Sequence, residues 1–153
     1  MINNSDLIPF ISESNLIEGI YRAPIDREIF AHQRLLSLKT LTVEDIELFV
    51  KAVAGAPPRF ETGLNVYVGN HRPPRGGPQI RRDLNEILTR ANLGTQPFEV
   101  HQQYETLHPF LDGNGRSGRA IWLWQMINQV RDPYILTRKF LHTWYYQSLS
   151  VSR

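Results

Sequence analysis

Hydrophobic residues along this chain recur mostly at three- and four-residue steps, a period that predicts helices. The clearest starts at Thr42, which reads as an N-cap with Asp45 at the third helical position; Leu41 and Ile46 form a hydrophobic staple, and Gly55 followed by Pro57-Pro58 stops the helix. Its buried stripe is Ile46, Phe49, Val50 and Val53. Between Pro78 and Asn92, Ile80, Leu84, Ile87, Leu88 and Ala91 share one helical face, with Pro78 in the first turn and Gly94 as the stop. Pro97 opens a further helix with Phe98, His101, Tyr104, Leu107 and His108 roughly along one face, and Pro109 ends it by disfavouring the helical conformation of the residue before it.

The segment AIWLWQMINQV (120–130) is apolar nearly all round, as expected of a helix in the middle of a bundle. Shorter patterns predict helices over about 12–20, 26–38 and 138–150. One stretch differs: in LNVYVGN, β-branched and aromatic residues alternate ahead of the turn-rich HRPPRGGP, which predicts a short β-hairpin. The expected fold is mostly α, a helical bundle from which that hairpin protrudes.

Composition narrows the function classes. With 153 residues, 41% hydrophobic and 21% charged, and no repeat or low-complexity linker, residues 1–153 read as one domain. The absence of cysteine excludes a disulfide scaffold, a Cys-ligated metal and a Cys nucleophile. No run approaches the ~18 apolar residues of a membrane span, and MINNSDLIPFISESNLIEG has no signal-peptide pattern, so the expectation is a soluble, cytoplasmic protein without a membrane partner. The 17 Lys+Arg nearly balance the 15 Asp+Glu, for a net charge of +2. Arg72, Arg75, Arg81 and Arg82 are diluted by Asp83 and Glu86 and read as a solvated face, so no nucleic-acid partner is expected. Nothing in the pattern marks an oligomer interface.

The chemistry concentrates in HPFLDGNGRSGR, residues 108–119. Glycines let backbone N–H groups turn inward as an anion nest, and the start of the next helix adds its unpaired donors and the positive end of its dipole. Arg116 and Arg119 each carry a planar fork suited to phosphate. Asp112 can hold a hard cation such as magnesium, and His108 can accept a proton near neutrality.

This loop matches, at every specified position, the signature H-x-F-x-D/E-G-N-G-R-x-x-R, and the chain thereby resembles the Fic domain family. His101, Tyr104 and Leu107 fit the helix before the loop, GLNVYVGNHRPP looks like the family's flap hairpin, and RKFLHTWYYQSL looks like its closing helix. The resemblance implies a magnesium-dependent protein adenylyltransferase that moves AMP from ATP to a Ser, Thr or Tyr hydroxyl of a target protein, with self-modification as a further outcome. It makes His108 the general base, Asp112 the magnesium ligand, and the backbone at Gly113, Asn114 and Gly115 the anion hole. Arg116 would hold the β-phosphate side and Arg119 the γ-phosphate. Phe110 would anchor the loop in the core. The flap, about residues 64–72 with Val66, Tyr67, Val68 and Gly69, would hold the target as an added strand. Gly115 stands where the family's phosphate-transferring branch has a lysine, which favours nucleotide transfer.

Ser14-Asn15-Leu16-Ile17-Glu18-Gly19 fits S/T-x-x-x-E-G/N, which in some Fic proteins marks an inhibitory helix. Ser14 and Glu18, at i and i+4, share a helix face. By resemblance Glu18 would pair with Arg119 and keep it from the γ-phosphate. In some relatives the same glutamate assists removal of AMP, which stands as an alternative activity beside a catalytically silent nucleotide-binding module. His101 reads as a hydrogen-bonded core histidine. Trp122, Trp124, Trp144, Tyr145 and Tyr146 read mainly as core, one of the last three being a candidate wall for adenine.

Overall fold

In the computed structural model the described residues are 3–131, so the helix expected at 138–150 and the residues Trp144, Tyr145 and Tyr146 lie outside them. Six α-helices form: α1 Asn4–Ile17, α2 Asp26–Ser37, α3 Val43–Ala54, α4 Pro78–Asn92, α5 Pro97–Leu107 and α6 Asn114–Gln125. The middle helices follow their local signals. Thr42 and Asp45 form the capping box of α3, and Gly55 ends that helix at φ 64°. Gln96 caps α5 by accepting from the Glu99 amide, and Pro78 and Pro97 sit in the first turns of α4 and α5.

The first helix departs from the expected 12–20. It starts at Asn4, because Asn3 accepts the Ser5 amide as N-cap, and it runs through Pro9. A proline there removes one helical hydrogen bond at a cost of about 3 kcal/mol. Leu7, Phe10 and Ile11 are buried on one face, and each such side chain contributes about 1.5–3 kcal/mol, which offsets the break. The helix stops at Ile17 through a Schellman motif: Gly19, at φ 77°, donates to the Leu16 carbonyl and the Ile20 amide donates to that of Asn15. Gly19 thus leaves Glu18 on the last turn.

α6 is the central helix and packs against α5, α2, α3 and α1; α4 packs outside on α5 and α3. Ala120 to Gln125 are buried, as the all-round apolar pattern predicts, and so are Arg116 to Arg119 ahead of them. The pattern overreaches at its end: Met126–Val130 form a π-helical turn in which Asn128 and Val130 are exposed. Side-chain bonds from Trp124 to the Leu38 carbonyl and from Gln125 to that of Thr95 fasten this end to the bundle.

The hairpin expected at 64–72 is reduced to one antiparallel bridge, Val68 with His71, and no strand forms among the described residues. The physical reason is local. Arg72 is followed by Pro73-Pro74, which lack the N–H groups needed to extend a ladder.

Candidate active site

His108 is the C-cap of α5 and has left-handed backbone angles, φ 53° and ψ 62°. That conformation costs a non-glycine residue about 1–2 kcal/mol, and Pro109 disfavours the right-handed helical alternative. The ring folds back so that Nδ1 lies 3.0 Å from the Glu105 carbonyl. A carbonyl only accepts, so Nδ1 carries the proton and Nε2 is the basic nitrogen.

Between His108 and α6 the loop is clamped by its own polar groups. Asn114 donates to the Phe110 carbonyl at 2.8 Å and accepts the Phe110 amide at 2.9 Å, while the Phe110 ring is fully buried. The Asn114 side chain is therefore a loop brace. Gly113 is left-handed, at φ 81°, and a Cβ there would stand 2.9 Å from Ala54 Cβ, so this position must be glycine on both counts. Its amide donates to Asp112 Oδ1 at 2.7 Å. The expected anion hole therefore rests on the amides that open α6, which have no carbonyl of their own helix to bond. Asp112 is exposed at the edge of this loop, and no group of three His, Asp or Glu side chains gathers among the described residues. A lone exposed carboxylate fits magnesium, which keeps several waters and takes its other ligands from substrate phosphates.

The two arginines of the loop point to different places. Arg116 is buried and donates through Nη1 to the Val53 carbonyl at 2.6 Å, on the last turn of α3, while its Nε has no partner in the structure. A buried donor left open costs about 1–3 kcal/mol. Arg119, only 1% exposed, turns toward α1 instead. Its Nε donates to Ser14 Oγ at 2.8 Å, and its Nη2 donates to the Ser14 carbonyl at 2.9 Å and to Glu18 Oε1 at 2.8 Å. Ser14 is buried, whereas the Glu18 side chain is 37% exposed. A Cβ on Gly115 would collide with Glu18 Oε1. The carboxylate thus lies over the first turn of α6, the place the helix dipole offers an anion.

α5 and α6 approach most closely at Gly118, where a Cβ would meet Glu105 Oε1, Tyr104 Cδ1 and His101 Cε1. Tyr104 is fully buried, its hydroxyl bonded to Ser117 Oγ at 2.6 Å, and burial pushes its pKa far above the phenol range. It is a structural tie between the two helices. His101 is a core residue as expected, buried with Nδ1 3.1 Å from the Gly118 carbonyl. In the flap, Val66 and Val68 are half-buried and Tyr67 and Gly69 exposed, with the Arg72 guanidinium over the Tyr67 ring. Arg81 pairs with Glu44 and Arg82 with Asp83, in keeping with a solvated, charge-balanced face.

One residue escaped the sequence reading. Arg59 is fully buried and donates to four backbone carbonyls, those of Leu64, Pro74, Leu107 and His108. Burial lowers its pKa from the usual arginine value. Its only local signal is an arginine directly after Pro57-Pro58, ahead of the flap.

No helix among the described residues is long and apolar enough to cross a membrane. Comparison with known proteins adds a family. The Fic/DOC family matches residues 24–126, a span that takes in α2 to α6 and leaves α1, with Ser14 and Glu18, outside it. The chain is similar to the protein adenylyltransferase Fic of Drosophila erecta, 27% identical over 117 residues, and to that of Culex quinquefasciatus, 29% identical over 128 residues. These alignments cover 69% and 73% of this chain but 24% of each relative, so the chain spans about a quarter of their length. The family match takes in well over half of the chain, including all of the loop from His108 to Arg119, and the chain belongs to the Fic/DOC family.

Proposed function

We propose that this chain is a protein adenylyltransferase that transfers AMP from ATP to a Ser, Thr or Tyr hydroxyl of a target protein and is restrained by its own α1. The observation that carries the transfer reading is the loop from His108 to α6. It sets a histidine with a basic Nε2 at one end and, at the other, a helix start that offers its opening amides beside a buried, incompletely bonded arginine. The adenylyltransferase names of the relatives support the same activity.

In this mechanism the target hydroxyl gives its proton to His108 Nε2 as its oxygen bonds to the α-phosphorus. The bond from that phosphorus to the bridging oxygen breaks, and pyrophosphate leaves. The amides opening α6 and the Arg116 guanidinium stabilise the charge that develops on phosphate, and the flap aligns the target segment beside them. Asp112 would hold magnesium, which supplies charge neutralisation on the phosphates. The base contributes about 10²–10⁴-fold. Residues of this loop bind phosphates and specify no base, so UTP competes with ATP as a donor to be tested.

Restraint follows from Arg119. Its three bonds to Ser14 and Glu18 engage Nε and Nη2, three of its five N–H donors, in holding α1 instead of a phosphate. A charge pair of this kind is a good switch, because breaking it frees a charge needed elsewhere. A second reading, glutamate-assisted removal of AMP, is favoured by the position of the Glu18 carboxylate against Gly115.

Transfer of α-phosphate-labelled ATP with magnesium, read with intact mass, tests these readings on wild type, Glu18→Gly, and Glu18→Gly with His108→Ala. Labelling by Glu18→Gly alone supports transfer and restraint together. Equal labelling by wild type and Glu18→Gly removes the restraint. Nucleotide binding with no labelling of chain or lysate favours a silent module, and release of free AMP from a labelled target favours removal.

A further inference from the structure

The last four carbonyls of an α-helix lie beyond the reach of its own amides. In α5 each has found a partner. The His108 amide takes that of Tyr104 at 3.0 Å, His108 Nδ1 takes that of Glu105, His71 Nε2 lies 3.0 Å from that of Thr106, and Arg59 Nη2 donates to that of Leu107 at 2.8 Å. Arg59 Nε continues the series by donating to the carbonyl of His108 itself at 2.6 Å.

The same guanidinium holds the flap. Arg59 Nη1 donates to the carbonyls of Leu64, at 3.1 Å, and Pro74, at 2.8 Å, which are the two feet of the segment that carries Tyr67 and His71. The Arg59 backbone is tied on both sides, its amide to the Pro109 carbonyl and its carbonyl to the Gly77 amide. Five donors in a rigid planar fork suit this task, and no other side chain can reach four carbonyls on three segments. His71, near the flap tip, reaches α5 independently.

We infer that Arg59 and His71 are positioning residues that make the flap the C-terminal cap of α5 and so hold the His108 ring where it receives the target's proton. This rests on the reading of His108 as general base. The segment that docks the target and the residue that takes its proton then form one mechanical unit, so a displaced flap misaligns the base.

The test uses the Glu18→Gly background, with Arg59→Lys, which keeps the charge but loses the fork, and His71→Ala, which removes a partly exposed ring. The readouts are kcat, the KM for ATP, thermal melting, and the imidazole ¹⁵N resonances of His108. The expected result is a fall in kcat of about tenfold or more for Arg59→Lys and a smaller fall for His71→Ala, with the KM for ATP little changed. In both, His108 should lose its Nδ1–H preference. If both variants fold and keep kcat and the ¹⁵N pattern of the parent, the inference is overturned. If Arg59→Lys fails to fold, His71→Ala decides by the same criteria. Failure of the base reading is separate: it appears as undiminished transfer by Glu18→Gly with His108→Ala, and the ¹⁵N pattern still decides whether the flap positions the ring.

Discussion

Replacing Ser14 with alanine isolates one bond of the contact between α1 and Arg119. The substitution removes the hydroxyl that accepts Arg119 Nε at 2.8 Å, and it leaves in place the Ser14 carbonyl and the Glu18 carboxylate that accept Nη2. The site is buried, so no water replaces the lost acceptor while α1 stays docked. A hydrogen bond to a charged group contributes about 1.5–3 kcal/mol. Once α1 is released, Arg119 bonds to phosphate or water in wild type and variant alike, so the loss falls on the docked state. At about tenfold for each 1.4 kcal/mol, the released population rises roughly 10- to 100-fold. Transfer of labelled AMP by Ser14→Ala should therefore exceed wild type by that factor, with the rate of Glu18→Gly as its ceiling. Labelling no faster than wild type, beside a fast Glu18→Gly, would refute the assignment of the restraint to this hydroxyl.

Other expectations follow from buried polar groups near α1. Glu28 is almost fully buried and accepts from Arg22 at 2.9 and 3.2 Å, from the Ile25 amide and from Asn15, next to Ser14. Glu28→Gln should loosen α1 and raise transfer a few-fold with Glu18 intact, and add nothing in the Glu18→Gly background; a change of the same size in both would refute a role through α1. His32 lies between the rings of Phe10 and Phe49, and burial lowers its pKa from 6.5 to about 4. The folded state resists its protonation, so stability present above pH ~6.5 is lost as pH falls toward 4, by about 3 kcal/mol, and His32→Gln should flatten that slope in melting curves taken across this range. Gly118→Ala drives a methyl into Glu105, Tyr104 and His101 and should cost about 1–3 kcal/mol, seen as a Tm lower by several degrees; an unchanged Tm would show that α5 and α6 can part without cost.

Much of this protein is legible in the sequence because its signals are short-range. The capping box at Thr42, the stops at Gly55 and Pro109, and the helical periods of α3 to α5 each act within about one turn, so cause and effect lie together along the chain. The loop from His108 to Arg119 is legible for the same reason: its histidine, acid, glycines and arginines lie within twelve residues. Ser14 and Glu18 could be singled out as a pattern, and Gly19 explains why the helix ends beside them. Other outcomes needed distant partners. Pro9 inside α1 is tolerated because the bundle buries Leu7, Phe10 and Ile11 around it, and a period alone does not reveal that burial. The flap's feet, at Leu64 and Pro74, dock on Arg59, which the flap's own pattern does not show. Arg119 meets Glu18 across 101 positions, and Arg59 meets His108 across 49. Such contacts depend on how the helices pack rather than on spacing along the chain: the resemblance anticipated the pair of Glu18 with Arg119, but tertiary structure alone decided that Ser14 shares that arginine and that Arg59 caps α5.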